Sequence, residues 1–87
     1  MTDDDEVRRR RAVYRASHRG TKEMDWLLGR YAEAELPRMT TEQLSAFEEL
    51  LALPDPALQD MILSGNVPAD AGLAHLIGAI RALHGLT

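Results

Sequence analysis

No cysteine occurs in the 87 residues. That excludes a disulfide framework, a thiol nucleophile and the usual zinc-finger ligand set. No apolar run approaches the ~20 residues needed to span a bilayer, so no membrane insertion is expected. The opening segment, "MTDDDEVRRRR", lacks the apolar middle of a secretory signal, and its acids argue against a mitochondrial transit peptide. Aromatics are scarce, with one Trp, two Tyr and one Phe. His18, His75 and His84 do not fall at a metal-binding spacing, and no carboxylate completes a set with them. Neither a nucleophile elbow nor a phosphate-binding glycine loop is present. Gly72 and Gly78 lie inside a helical apolar pattern with no strand before it. The expectation is a soluble protein that is not an enzyme, binds no metal and holds no cofactor stably. The simplest location is a bacterial cytoplasm, with a processed organelle protein as the alternative.

What is present is an uneven charge. The formal net charge is -4. Yet residues 7–22 carry Arg8, Arg9, Arg10, Arg11, Arg15, Arg19 and Lys22 and no acid. A basic end sits on an acidic body. Such an end can steer toward an acidic protein, a phosphate or nucleic acid, or simply follow a helix dipole in solvent. Four consecutive arginines point all round a helix, whereas phosphate tracking wants a stripe. With a sequence pI near 5.2 and few rings for stacking, no nucleic-acid partner is expected.

Apolar residues recur at three and four, not at two, which predicts an all-α chain of five helices. The first runs from Asp3 or Asp4 to Ser17. Acids precede arginines in it, as the macrodipole favours. Val7, Val13, Tyr14 and alanines are its only apolar content, so it is weakly anchored, and residues 1–6 are expected to fray. Gly20 closes it in the left-handed conformation. Thr21 caps the second helix, whose Met24, Leu27, Leu28 and Tyr31 share one face. Pro37 stops it. Thr40 with Gln43 forms a capping box for the third, with Leu44, Phe47, Leu50 and Leu51 inward. Asp55 caps the fourth, with Pro56 at its first position and Leu58, Met61 and Ile62 inward. Gly65 closes it. Asp70 caps the fifth, which buries Leu73, Leu76, Ile77, Ile80 and Leu83 and ends near Gly85. Short loops imply that sequential helices pack on one another, so residues 1–87 are read as a single five-helix bundle. Trp26 lies off the main face of its helix. A bundle that wraps this helix from two sides would bury it. An exposed aromatic anchor is the alternative.

The stretch "SHRGTKEMD", residues 17–25, joins the basic helix to the second one. Gly20 has a clear duty there as a terminator. Glu23 in a first turn gains ~0.3–1 kcal/mol from the dipole. No structural reason of similar weight is evident for Arg19. An arginine fork beside bare glycine backbone offers donors and close approach to a partner surface. Glu23 can hold Arg19 in place or accept a hydrogen bond from that partner.

"RGTKE", an Arg-Gly-x-x-Glu pattern, is followed by Asp25, an apolar helix and "MTTEQLSAFEELLALPDPALQDMILSG". Together they resemble the FAD-assembly factors of succinate dehydrogenase, the SdhE-type proteins of bacteria and their mitochondrial counterparts. The likeness runs from about Val7 to Leu83. It implies a small five-helix bundle. It also implies a function, which is to promote covalent attachment of FAD to the flavoprotein subunit of succinate dehydrogenase and, in some bacteria, of fumarate reductase. The factor would act on FAD held by its partner, in the bacterial cytoplasm or, in a eukaryote, the mitochondrial matrix. Carried over by position, Arg19, Gly20 and Glu23 would contact the flavoprotein. Thr21, Lys22 and Asp25 lie within or beside them, and Tyr14 and Arg15 lie about one turn before. Thr21 stands where methionine is common, and His18 where a second arginine is frequent. Two other readings remain beside this one, a helical adaptor that uses Arg8 to Arg11 as its contact, and a nucleic-acid-binding module.

Overall fold

The helix boundaries follow the chain's polar punctuation. The computed structural model describes residues 2–86, without the side chains of Thr2 and Asp3. Helix α1 spans Thr2–Ser17, α2 Lys22–Glu35, α3 Thr41–Leu51, α4 Asp55–Ser64 and α5 Ala71–Leu83. A 3-10 turn, Leu36–Arg38, carries Pro37 and ends the run begun by α2. No strand occurs among the described residues. The all-α, five-helix reading holds.

Thr21 caps α2 by accepting from the Met24 N–H at 3.2 Å. Thr40 and Gln43 make both bonds of a capping box at α3. Asp70 accepts from the Leu73 N–H at 3.0 Å. Gly65 ends α4 with φ of +80°, a conformation that favours glycine. Two expectations fail here. Pro54, not Asp55, holds the N-cap position of α4, and no side chain caps it. Gly20 is not left-handed, because positive φ is confined to Gly65 and Gly85 among the described residues. Both departures have one cause, which lies at the α1–α2 junction.

The helices share one core. Phe47, Met24, Leu28, Leu44, Leu50, Leu58, Ile62, Ile77 and Ile80 are fully buried, and Tyr31 nearly so. These are the faces that the 3.6-residue period selects. Met61 and Leu73 only flank this core. Leu83, expected inside, is exposed. So is Trp26, at 53%.

Helix α1 is anchored differently from the apolar reading. Val7 and Tyr14 are exposed, while Ala12 and Ala16 are buried. Small side chains let α1 lie close on α2, where a Cβ on Gly29 would come within 2.9 Å of Ser17 Oγ. Polar ties replace the missing apolar bulk. Arg8 binds Glu48 at 2.7 Å and Ser45 at 3.1 Å. Arg9 donates to the Leu36 carbonyl, and Arg10 to Glu6 at 3.2 Å. Only Arg11 of the four is left facing outward without an ion pair among the described residues. The N-terminal acids take part as well, since Thr41 Oγ1 donates to Asp5 at 3.2 Å. The expected fraying of residues 1–6 falls partly on Met1 and on two side chains outside the described residues.

Candidate protein-docking site at the helix junction

Four residues, His18 to Thr21, turn the chain from α1 into α2. Their conformation is set by Arg19. Its Nε donates to Asp55 Oδ1 at 2.7 Å. Its Nη1 donates to the Leu51 carbonyl at 2.7 Å and its Nη2 to the Leu53 carbonyl at 2.8 Å. Those carbonyls lie at the C-terminal end of α3, where helical acceptors lack internal partners and partial negative charge collects. Arg19 therefore caps α3 from a distant part of the chain. The planar fork suits this, because three donors meet three fixed acceptors. Its side chain is only 12% exposed.

The second oxygen of Asp55 accepts the Gly20 N–H at 2.9 Å. Burial pushes the Asp55 carboxyl up. The Gly20 N–H, the Arg19 hydrogen bond and the Arg19 charge outweigh it and hold the carboxyl below its ordinary range. This use of Asp55 removes it from capping duty at α4. It also explains Gly20. A Cβ there would stand 3.0 Å from Asp55 Oδ2. Glycine is favoured here by close approach, not by a positive φ. The Arg19 N–H is taken by Asp25 Oδ1, so both termini of the corner are pinned.

Glu23 does not hold Arg19. It is exposed in the first turn of α2, where Gln59 Nε2 donates to its Oε1 at 3.0 Å. Asp55 and Gln59 are four residues apart on α4, so one helix face meets both ends of the Arg-Gly-x-x-Glu stretch. On the α1 side, the His18 ring stacks on Tyr14 with centroids 3.9 Å apart and planes 16° off parallel. His18 Nδ1–H donates to the Tyr14 carbonyl at 2.8 Å. Tyr14, Arg15, Arg19, Gly20 and Asp55 line an open depression of about 390 Å³ with His18. Arg15 and Lys22 are exposed and in no ion pair among the described residues.

The residues expected to form a contact thus divide into two kinds. Arg19, Gly20, Asp25 and Thr21 build the corner. Tyr14, Arg15, Lys22 and Glu23 stand around it in solvent. Asp55 and Gln59 were not anticipated. The "DP" signal at Asp55 is the same for a cap as for a distant acceptor, so local sequence does not reveal it. The arrangement offers a fixed, exposed edge of backbone flanked by an aromatic ring, two cations and an acid.

A family model described as "Flavinator of succinate dehydrogenase" matches residues 10–84. The chain is 47% identical over 62 residues to the FAD assembly factor SdhE of Acetobacter pasteurianus, covering 71% of this chain and 56% of that protein. It is 34% identical over 65 residues to SdhE of Coxiella burnetii, covering 75% of this chain and 79% of that one. Over 49 residues it is 41% identical to the mitochondrial succinate dehydrogenase assembly factor 2 of Komagataella phaffii, covering 56% of this chain and 26% of the yeast protein. The chain thus spans little more than half of the first of these relatives and about a quarter of the last. No solved structure matches it significantly.

Proposed function

Because the chain belongs to the family of succinate dehydrogenase flavinators, whose members are assembly factors and not enzymes, we propose that it promotes covalent attachment of FAD to the flavoprotein subunit of succinate dehydrogenase. Fumarate reductase flavoprotein is a second client where a cell makes it. The FAD stays with the partner throughout. The site of action is the bacterial cytoplasm, or the mitochondrial matrix in a eukaryote. No helix among the described residues is long and apolar enough to cross a membrane.

One observation carries the docking reading. Arg19 and Asp55 lock the corner so that Gly20 is exposed backbone, with Glu23 displayed on one side and Tyr14 and Arg15 on the other. A surface fixed before contact loses little conformational entropy on binding. The factor docks this corner on the flavoprotein and stabilises the partner conformation in which flavin and acceptor side chain are aligned for reaction. It contributes positioning and donates no reacting group. Glu23 supplies the displayed acceptor. The rival contact through Arg8 to Arg11 is weakened, since Arg8, Arg9 and Arg10 already bind within the molecule.

The test is a Glu23→Ala factor in cells lacking the native one. The bundle should remain folded, while the denatured flavoprotein subunit loses its covalent flavin fluorescence. Normal covalent flavin would overturn the reading.

A further inference from the structure

Trp26 is the only tryptophan of the chain, and it stands 53% exposed on α2. Nothing in the fold requires that exposure. A tryptophan left half in water is an unused apolar area of a kind that anchors interfaces. Its position is also defined. The His84 ring lies against it with centroids 4.4 Å apart. His84 Nε2–H is itself fixed by donating to the Leu27 carbonyl at 2.8 Å. The indole thus rests on a held neighbour and does not swing free.

Lys22 and Arg30 lie four residues before and after Trp26, so the three form one stripe along the helix. Both cations are exposed and in no ion pair among the described residues. Beside the stripe, a shallow depression of about 320 Å³ runs over Ser17 and Gly29, where α1 and α2 are in close contact. Two acids border it. They are Asp25, whose Oδ1 accepts the Arg19 N–H, and the exposed Glu33 at the far end. The stripe begins inside the Arg-Gly-x-x-Glu stretch, at Lys22, and leads away from it.

We infer that Lys22, Trp26 and Arg30 form a second contact for the same flavoprotein subunit, receiving a segment that pairs an apolar side chain with acidic residues. The inference rests on the docking reading above and extends it by two turns of α2. Charge complementarity selects the occupant. A ring between two free cations fits an apolar side chain flanked by carboxylates, and continuity with the motif places that segment on the partner that the motif engages. This contact adds affinity, whereas Glu23 acts at the corner where the partner is positioned.

The experiment uses the full chain with 5-fluorotryptophan at position 26, titrated with purified flavoprotein subunit containing ordinary tryptophan. One fluorine signal is expected, and it should shift on complex formation. Trp26→Ala should weaken binding on the order of thirtyfold, as loss of a central aromatic anchor does. Trp26→Phe should recover most of it. Arg30→Glu should weaken binding several-fold, and more at low salt than at high salt. Trp26→Ala should raise the factor concentration needed for half-maximal covalent flavin in proportion to its lost affinity, whereas Glu23→Ala should lower the maximum itself. Unchanged affinity of Trp26→Ala overturns the second contact and leaves the docking reading standing. A fluorine shift that appears on raising factor concentration alone would assign the stripe to a second copy and overturn it too. Failure of the unsubstituted factor to bind the flavoprotein at all would overturn the docking reading itself.

Discussion

Arg19 and Glu23 stand four residues apart in one short motif and have opposite surroundings. The arginine is almost enclosed, with its fork fixed on Asp55 and two carbonyls at the end of α3. The glutamate is in solvent, with one exposed hydrogen bond from Gln59. A motif read as a single recognition unit is therefore two devices in series. One end shapes the corner and ties three helices together. The other end is displayed by it. Substitutions at the two ends should fail for different reasons, and stability measurements separate them.

Arg19→Ala is the harshest test. It leaves the Leu51 and Leu53 carbonyls and the Asp55 carboxylate without their donor, which should cost roughly 2–3 kcal/mol in urea unfolding. A loss below the scatter of the measurement would mean that the corner does not depend on its clasp. Asp55→Asn comes next, at about 1–2 kcal/mol near neutral pH. It also carries a pH signature. The folded Asp55 carboxyl lies below its ordinary value, so its contribution is full above the unfolded value of about 3.9 and is lost as pH falls through the folded one. The unsubstituted chain should show that acid step in its stability profile, and Asp55→Asn should lack it. Gly20→Ala should cost about 1 kcal/mol or somewhat more, because the new Cβ presses on a carboxylate that Arg19 prevents from moving. Gly20→Arg adds bulk over the exposed corner and should in addition abolish flavin attachment. Glu23→Ala should change stability least, by less than about 1 kcal/mol for one exposed bond and a dipole interaction. Its defect should appear only in the covalent flavin of the partner. A Glu23→Ala protein as unstable as Arg19→Ala would erase the distinction between the two ends.

Much of the bundle was legible because its signals are local. Thr21, the Thr40–Gln43 box, Asp70 and Gly65 each act within one turn, and the buried faces of α2 and α3 obey the helical period. The errors share the opposite property. The role of Arg19 depends on carbonyls more than thirty residues away, and so does the reason for Gly20. Asp55 carries the same cap-like signature whether it caps or clasps. Leu83 was expected inside, and Trp26 was left open between burial and exposure, because a period shows which residues share a face, not how many neighbours cover it. In α1, apolar counting missed the anchorage, since Ala12 and Ala16 bury little area and arginines complete the attachment. The resemblance gave one role to residues that the structure divides, since Arg19 and Gly20 build the corner while Glu23 stands exposed beside it.

The capping of α3 by Arg19 has counterparts. Arg9 reaches the Leu36 carbonyl beyond the end of α2, and Arg81 reaches the Ile62 carbonyl in the last turn of α4. In each case the C-terminal end of one helix is closed by a side chain from another part of the chain. Helices of this length have little stability alone, and their ends open first. Here an end cannot open without releasing an arginine that secures another helix. Amide exchange at the last turns of α2, α3 and α4 should consequently be slow and of similar rate, as in one cooperative unit. The α1–α2 corner would then remain formed until the whole bundle unfolds.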